Sequence, residues 1–230
     1  MNTVIIACKT LEDELEFASG KTGIVYPVIW IESGLHSSPK KLNARLCEIL
    51  DCVKAQRVLL AMGFCGNAIQ NIQIGNFELI VPRVDDCISL LIGSIEERIR
   101  ISKEFSAYFL TDGWLRGERN LWVEYLYALE KFGEEEARNI AKAMYGHYRT
   151  LGLLNNNITP IEMLVENTKI IAETLNLEQR VIPATTSYIE DLLKGPWPDD
   201  RFIVKRPGEV LSADSLIIDT GYEGGAAMGK

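Results

Sequence analysis

Val58-Leu59-Leu60-Ala61-Met62-Gly63-Phe64-Cys65-Gly66-Asn67 is an apolar run that ends in a small, polar loop carrying a cysteine, and Phe77-Glu78-Leu79-Ile80-Val81-Pro82-Arg83-Val84-Asp85-Asp86-Cys87 repeats the arrangement. Short apolar runs bounded by turn residues read as strands buried on both faces. Thr3 to Cys8 is a third example, again closing on a cysteine.

Working outward, Ile24 to Ile31 forms a second strand interrupted by Pro27, Arg57 to Met62 a third, Asn76 to Val81 a fourth and Ala107 to Leu110 a fifth. Helical periods lie between them. Thr10 with Asp13 reads as a capping box opening a helix that Gly20 ends, and Ser37-Ser38-Pro39 opens one whose buried face is Leu42, Leu46, Ile49, Leu50 and Val53. Asp85 or Asp86 caps a helix through Cys87 and Leu91, which Gly93-Ser94 divides from the next charged segment. Two helices follow residue 120, separated by Gly133, and Thr159-Pro160-Ile161-Glu162 reads as an N-cap, a first-turn proline and a capping-box acid. Val181 to Pro183 is a late strand, Tyr188 to Leu193 a short helix, and Phe202 to Val204 with Val210-Leu211 a hairpin around Pro207-Gly208.

Strands alternating with helices imply an α/β fold: a doubly wound, mostly parallel sheet with helices on both faces and a helical C-terminal portion with a small β-hairpin. Residues 1–220 are expected to form a single domain and 221–230 a flexible tail. In such a sheet the strand-to-helix loops share the carboxyl edge, where ligands bind. Cys8, His36, Cys65, Cys87 and Asp112 with Trp114 then fall on one rim.

Composition narrows the function class. The 230 residues carry 24 Lys+Arg against 32 Asp+Glu, a net charge of -8, with no basic tract, so a nucleic-acid binder is not expected. No apolar run approaches a membrane span, and Met1-Asn2-Thr3 leads straight into a strand without a signal-peptide pattern, which predicts a cytoplasmic protein. Five cysteines without framework spacing suit reduced thiols.

Three thiols and an imidazole on one rim suit zinc or another transition metal, with Cys8, Cys65, Cys87 and His36 as ligands. Cys47 and Cys52, on the apolar-periodic helix, read as small buried hydrophobes. Cys65-Gly66-Asn67 admits another reading: glycine lets backbone approach a ligand, and the thiol acts as catalytic nucleophile. Cys65 is preferred to Cys87 for that role because Asp85 and Asp86 would raise the Cys87 pKa. Gly66, Asn67, Arg83 and Lys9 are the candidates to bind a small, anionic substrate. No dinucleotide or phosphate-loop motif is present. The aromatic set Trp122, Tyr125, Tyr127, Tyr145 and Tyr148 is assigned to core or to the face of a homo-oligomer.

The chain resembles a domain family of unknown function, DUF1638. The resemblance runs over about the first 150 residues. It is carried by Ile6-Ala7-Cys8, His36 with Pro39 and Leu42, Gly63-Phe64-Cys65-Gly66-Asn67, Pro82-Arg83, Asp86-Cys87-Ile88 with Gly93-Ser94, and Gly113-Trp114. Lys9, Ala68 and Asp85 stand where the family pattern has glycine, glycine and histidine. The resemblance implies company with corrinoid-dependent methyltransferase systems in methanogenic archaea and anaerobic bacteria, hence a role in one-carbon metabolism.

Three readings stand open: a metal site, zinc first, that activates a thiol or methyl-carrying substrate; a non-catalytic partner of a corrinoid protein; and a metal-free cysteine-dependent enzyme.

Overall fold

The structure is a computed structural model that describes residues 2–212 apart from Asn67. The expectations for Asn67 and for the tail 221–230 fall outside the described residues. The fold class is α/β, as the strand–helix alternation predicts.

Strand β1 (Thr3–Cys8) is buried along its whole length, and a 3-10 turn over Lys9–Leu11 leads into α1 (Glu12–Thr22). Next come β2 (Val28–Ile31), α2 (Pro39–Cys52), β3 (Arg57–Ala61), the two-residue β4 (Ile72–Gln73) and β5 (Glu78–Pro82). Helices α3 (Cys87–Ile92) and α4 (Ile95–Phe105) precede β6 (Ala107–Leu110) and the single turn α5 (Asp112–Leu115). Then α6 (Leu121–Phe132), α7 (Glu134–Tyr145), β7 (Thr150–Asn155), α8 (Ile161–Leu175) and β8 (Glu178–Pro183) follow. The described chain ends with α9 (Ser187–Lys194), β9 (Phe202–Lys205) and β10 (Val210–Leu211).

The main sheet has the order β2-β1-β3-β5-β9, parallel except for the antiparallel edge strand β9. Because βαβ crossovers are right-handed, stepping one way from β1 to β2 and back past it to β3 puts α1 and α2 on opposite faces. Leu11, Leu15 and Ala18 fill one side of the core and Leu42, Leu46, Ile49 and Leu50 the other. The winding reverses between β1 and β3, and their carboxyl ends form the switch-point crevice.

One expectation is corrected here. The fifth strand does not extend the main sheet: β6 pairs with β7, which pairs with β8, in a separate parallel sheet. This sheet builds its own core from Leu110, Leu121, Leu151, Leu153, Leu164 and Ile171, while Leu154 and Ile182 join the main one. Strand β7 is not among the strands expected from sequence. Gly152 is there for packing, since a Cβ would lie 2.7 Å from Ile182 Cδ1.

The two strands around Pro207-Gly208 both form and the chain reverses between them, but their ladder partners are β5 for β9 and β4 for β10. Smaller differences are local. Helix α1 runs through Gly20 to a left-handed Gly23, and Thr159 makes no cap for α8, whose N-cap is Pro160. Among the described residues no helix is long and apolar enough to cross a membrane.

Candidate functional site

Strand β1 delivers Cys8 to the rim, where its Sγ lies 2.7 Å from His36 Nε2 and 2.9 Å from Thr10 Oγ1. Thr10 is therefore not the helix cap that its spacing with Asp13 predicts; its hydroxyl serves the thiol, and α1 begins with no side-chain cap. His36 comes from the 3-10 turn Ser33–Ser37 after β2, the neighbour of β1.

The loops after β3 and β5 are laced together. Phe64 N–H donates to Val84 O at 3.0 Å and Cys65 N–H to Asp85 O at 2.8 Å. Gly63 makes this possible, because a Cβ there would lie 2.4 Å from the Asp86 carbonyl carbon. Asp86 accepts from Ser89 N–H at 2.8 Å and so caps α3, which sets Cys87 at the start of that helix. Cys65 holds a left-handed backbone with φ 45°, followed by Gly66 at φ 68°. For a non-glycine residue that conformation is strained, and such strain collects at functional sites.

The outcome is a row of groups, His36, Cys8, Cys87 and Cys65, in which Cys8 is hydrogen-bonded to His36 and neighbouring thiols lie near enough to shift the pKa of Cys8 and Cys87. Cys8 and Cys87 are buried and Cys65 is half-buried, and all five cysteines are free. Bonding to Cys87, together with burial, pushes the Cys8 thiol far above its ordinary range against the opposing pull of His36. Cys87 is raised chiefly by its bond with Cys65 and then by burial, although Cys8 and the Gly63 N–H pull the other way. The cause foreseen for Cys87 is thus replaced: Asp85 is engaged by Arg98 and Ser89, and the neighbouring thiol dominates. Burial alone would lower His36, yet the hydrogen bond and charge of Cys8, with Asp86 beyond, leave it raised. Asp86 itself is raised by burial and by Asp85.

Among the described residues, no group of three or more His, Cys, Asp or Glu side chains stands ready to hold a metal ion. One spacing on the rim is too short for a shared ion. Tetrahedral zinc with S and N ligands separates them by about 3.5 Å, whereas Cys8 Sγ and His36 Nε2 are 2.7 Å apart. Three thiols and an imidazole are the donor types that a thiophilic ion takes.

Arg83 donates from Nε to Asp199 O at 2.8 Å, and Lys9 pairs with Glu12 and lies over the Trp30 ring at 5.1 Å. Cys47 packs half-buried against the core, but Cys52 is exposed at the end of α2, contrary to its apolar register.

The second sheet closes over this rim. Gly113 lets α5 approach Thr10, where a Cβ would meet Thr10 O at 2.8 Å, and Trp114 stands 6.4 Å from the His36 ring. Two cavities meet at Trp114 and Tyr108: one of about 470 Å³ reaches His36 and Thr10, the other of about 440 Å³ reaches Asp86 and Arg98. Tyr145 and Tyr148 pack edge-on against Tyr108, and Trp122 stacks on buried Tyr125, so much of the aromatic set lies in or beside core. Tyr127 is exposed. Sequence reasoning missed Thr10 as a thiol partner and Tyr108 as a cavity wall; the first had a signal, a hydroxyl two residues after Cys8.

Residues 30–193 match the family described as "Protein of unknown function (DUF1638)". The chain belongs to that family. The matched stretch of the DUF1638 protein includes His36, Cys65 and Cys87 but starts after Cys8, and it extends past the first 150 residues to α9. No curated protein and no solved structure matches the chain.

Proposed function

We propose that this DUF1638 protein binds one thiophilic metal ion, zinc before others, through Cys8, Cys65 and Cys87 with His36 as the fourth ligand. The observation that carries the reading is convergence: the connections after β1, β2, β3 and β5 bring three thiols and an imidazole together at the sheet's switch point. Burial and a neighbouring thiol hold Cys8 and Cys87 in the neutral form, and a bound cation would reverse that by taking them as thiolates. When bound, zinc would supply Lewis acidity toward a thiol or methyl-carrying small molecule. The cavities beside Trp114 would admit that substrate, and Thr10 would orient the Cys8 sulfur. Reduced thiols of this kind belong in a reducing, cytoplasmic setting.

The test is elemental analysis of protein purified anaerobically without chelator, beside Cys8→Ser, Cys65→Ser and Cys87→Ser variants, with Cys52→Ser as control. About one metal per chain, lost in the three rim variants and kept in the control, is expected. Metal far below one per chain overturns the reading.

A metal-free thiol enzyme is the second reading, favoured by the half-exposed Cys65 on its left-handed backbone. Rapid alkylation of Cys65 at neutral pH in protein without metal would select it.

A further inference from the structure

Glu14 lies outside the thiol site, in the first turn of α1, and its side chain is buried to 1% exposure. Oε1 accepts from Asn156 Nδ2 at 2.7 Å, while Oε2 is buried with no hydrogen-bond partner. A buried carboxylate oxygen left without a partner is costly, and such an atom calls for an explanation. Beside it lies a cavity of about 10 Å³, lined by Glu14, Asp13, Asp112, Asn156 and Thr159 together with apolar residues of β7 and α8. That is room for a single water-sized occupant.

The charges around it do not balance. Asp13 and Asp112 both engage Arg116, whose side chain is 58% exposed, so three carboxylates share one guanidinium and Glu14 is the one left over. Burial is the main cause that pushes the Glu14 carboxyl up to about 7, with Asp13 adding to it and Arg116 opposing. Near neutrality the side chain is therefore on the edge of ionising.

We propose that this cavity is a site for one monovalent alkali cation, sodium or potassium, bound by ionised Glu14 and neutral oxygens around it. Oxygen-only donors select a hard ion rather than a thiophilic one. The single uncommitted carboxylate sets the charge at one, since Asp13 and Asp112 are turned to Arg116 and no three acidic side chains are arranged as a metal cage among the described residues. The size excludes a hydrated magnesium ion, which keeps several waters. The ion would clamp α1 of the main sheet to the β7–α8 connection of the second sheet, the same junction that the Asn156–Glu14 hydrogen bond spans.

The experiment follows urea unfolding of the full chain at pH 8 in NaCl, KCl, choline chloride, MgCl2 and CaCl2 at matched ionic strength, for wild type and Glu14→Gln. Sodium or potassium should stabilise the wild type over choline, the unfolding constant falling towards tenfold per tenfold of cation once binding saturates. Glu14→Gln should show no such difference. Sodium NMR relaxation, broadened by the wild type and not by the variant, reads binding without reference to folding. Equal stability in NaCl, KCl and choline chloride overturns the proposal and leaves a proton or a water as the occupant. An alkali effect that survives in Glu14→Gln overturns it too, as does a Glu14-dependent effect confined to calcium or magnesium.

Discussion

Replacing Gly63 by alanine tests whether the rim is held by backbone contact. A Cβ at this position would lie 2.4 Å from the carbonyl carbon of Asp86, 2.5 Å from its Cα and 2.6 Å from its oxygen, all main-chain atoms that no rotamer can move. Relief requires the loops after β3 and β5 to part by about 1 Å, to ordinary van der Waals separation. The Phe64–Val84 and Cys65–Asp85 hydrogen bonds, now 3.0 and 2.8 Å, would stretch beyond bonding range. Two lost hydrogen bonds at about 1 kcal/mol each, with overpacking of about 1–3 kcal/mol, give an expected destabilisation of about 3–5 kcal/mol. The measurement is urea unfolding with unchanged m, paired with the alkylation rate of Cys87, which should rise as Cys65 is drawn away from it. Gly20→Ala is the control: that glycine lies inside α1 with nothing within 4 Å of its Cβ position, so alanine should stabilise by about 0.5–1 kcal/mol. A loss below about 1 kcal/mol in Gly63→Ala, with Cys87 as protected as before, would refute the argument.

Glu14→Gln, compared with wild type in choline chloride, should remove a pH dependence. Below pH 4.5 the carboxyl is protonated in both folded and unfolded states; as pH climbs towards 7 the unfolded chain ionises first and the wild type loses stability. A rise from 4.5 to about 7, at about 1.4 kcal/mol per pH unit, makes that loss about 3 kcal/mol, and parallel wild-type and variant curves would contradict it. Asn120→Ala should cost about 2–3 kcal/mol, because the buried amide caps α6 at Trp122 and Val123 N–H and donates to the carbonyls of Trp114, Leu115 and Gly117. Thermal unfolding and a shift in tryptophan emission, as Trp114 loosens, check it. His36→Ala should weaken metal retention less than Cys65→Ser does, since three thiolates remain; elemental analysis after dialysis against a weak chelator decides the order.

Much of the main sheet was legible in the chain. β1, β3 and β5 announce themselves as apolar runs, and the cysteine after each is placed on the rim by chain direction alone, since every parallel strand ends at the same edge. The Asp86 cap and the Gly93-Ser94 break were equally local, because a cap is an exchange of hydrogen bonds within one turn. Other local signals were overridden. Thr10 carries the spacing of a cap and instead binds a thiol, because the nearer partner is supplied by the fold.

What the sequence by itself determined is the alternation of strand and helix, the direction of the strands and hence the shared edge for Cys8, His36, Cys65 and Cys87. Only the tertiary structure decided that β6 leaves the main sheet to pair with β7, that the second sheet closes over the rim at Trp114, and that Glu14 is buried. The physical reason is range. Periodicity and capping act within a few residues, whereas strand pairing and burial are chosen by contacts between segments far apart in the chain, such as Glu14 with Asn156.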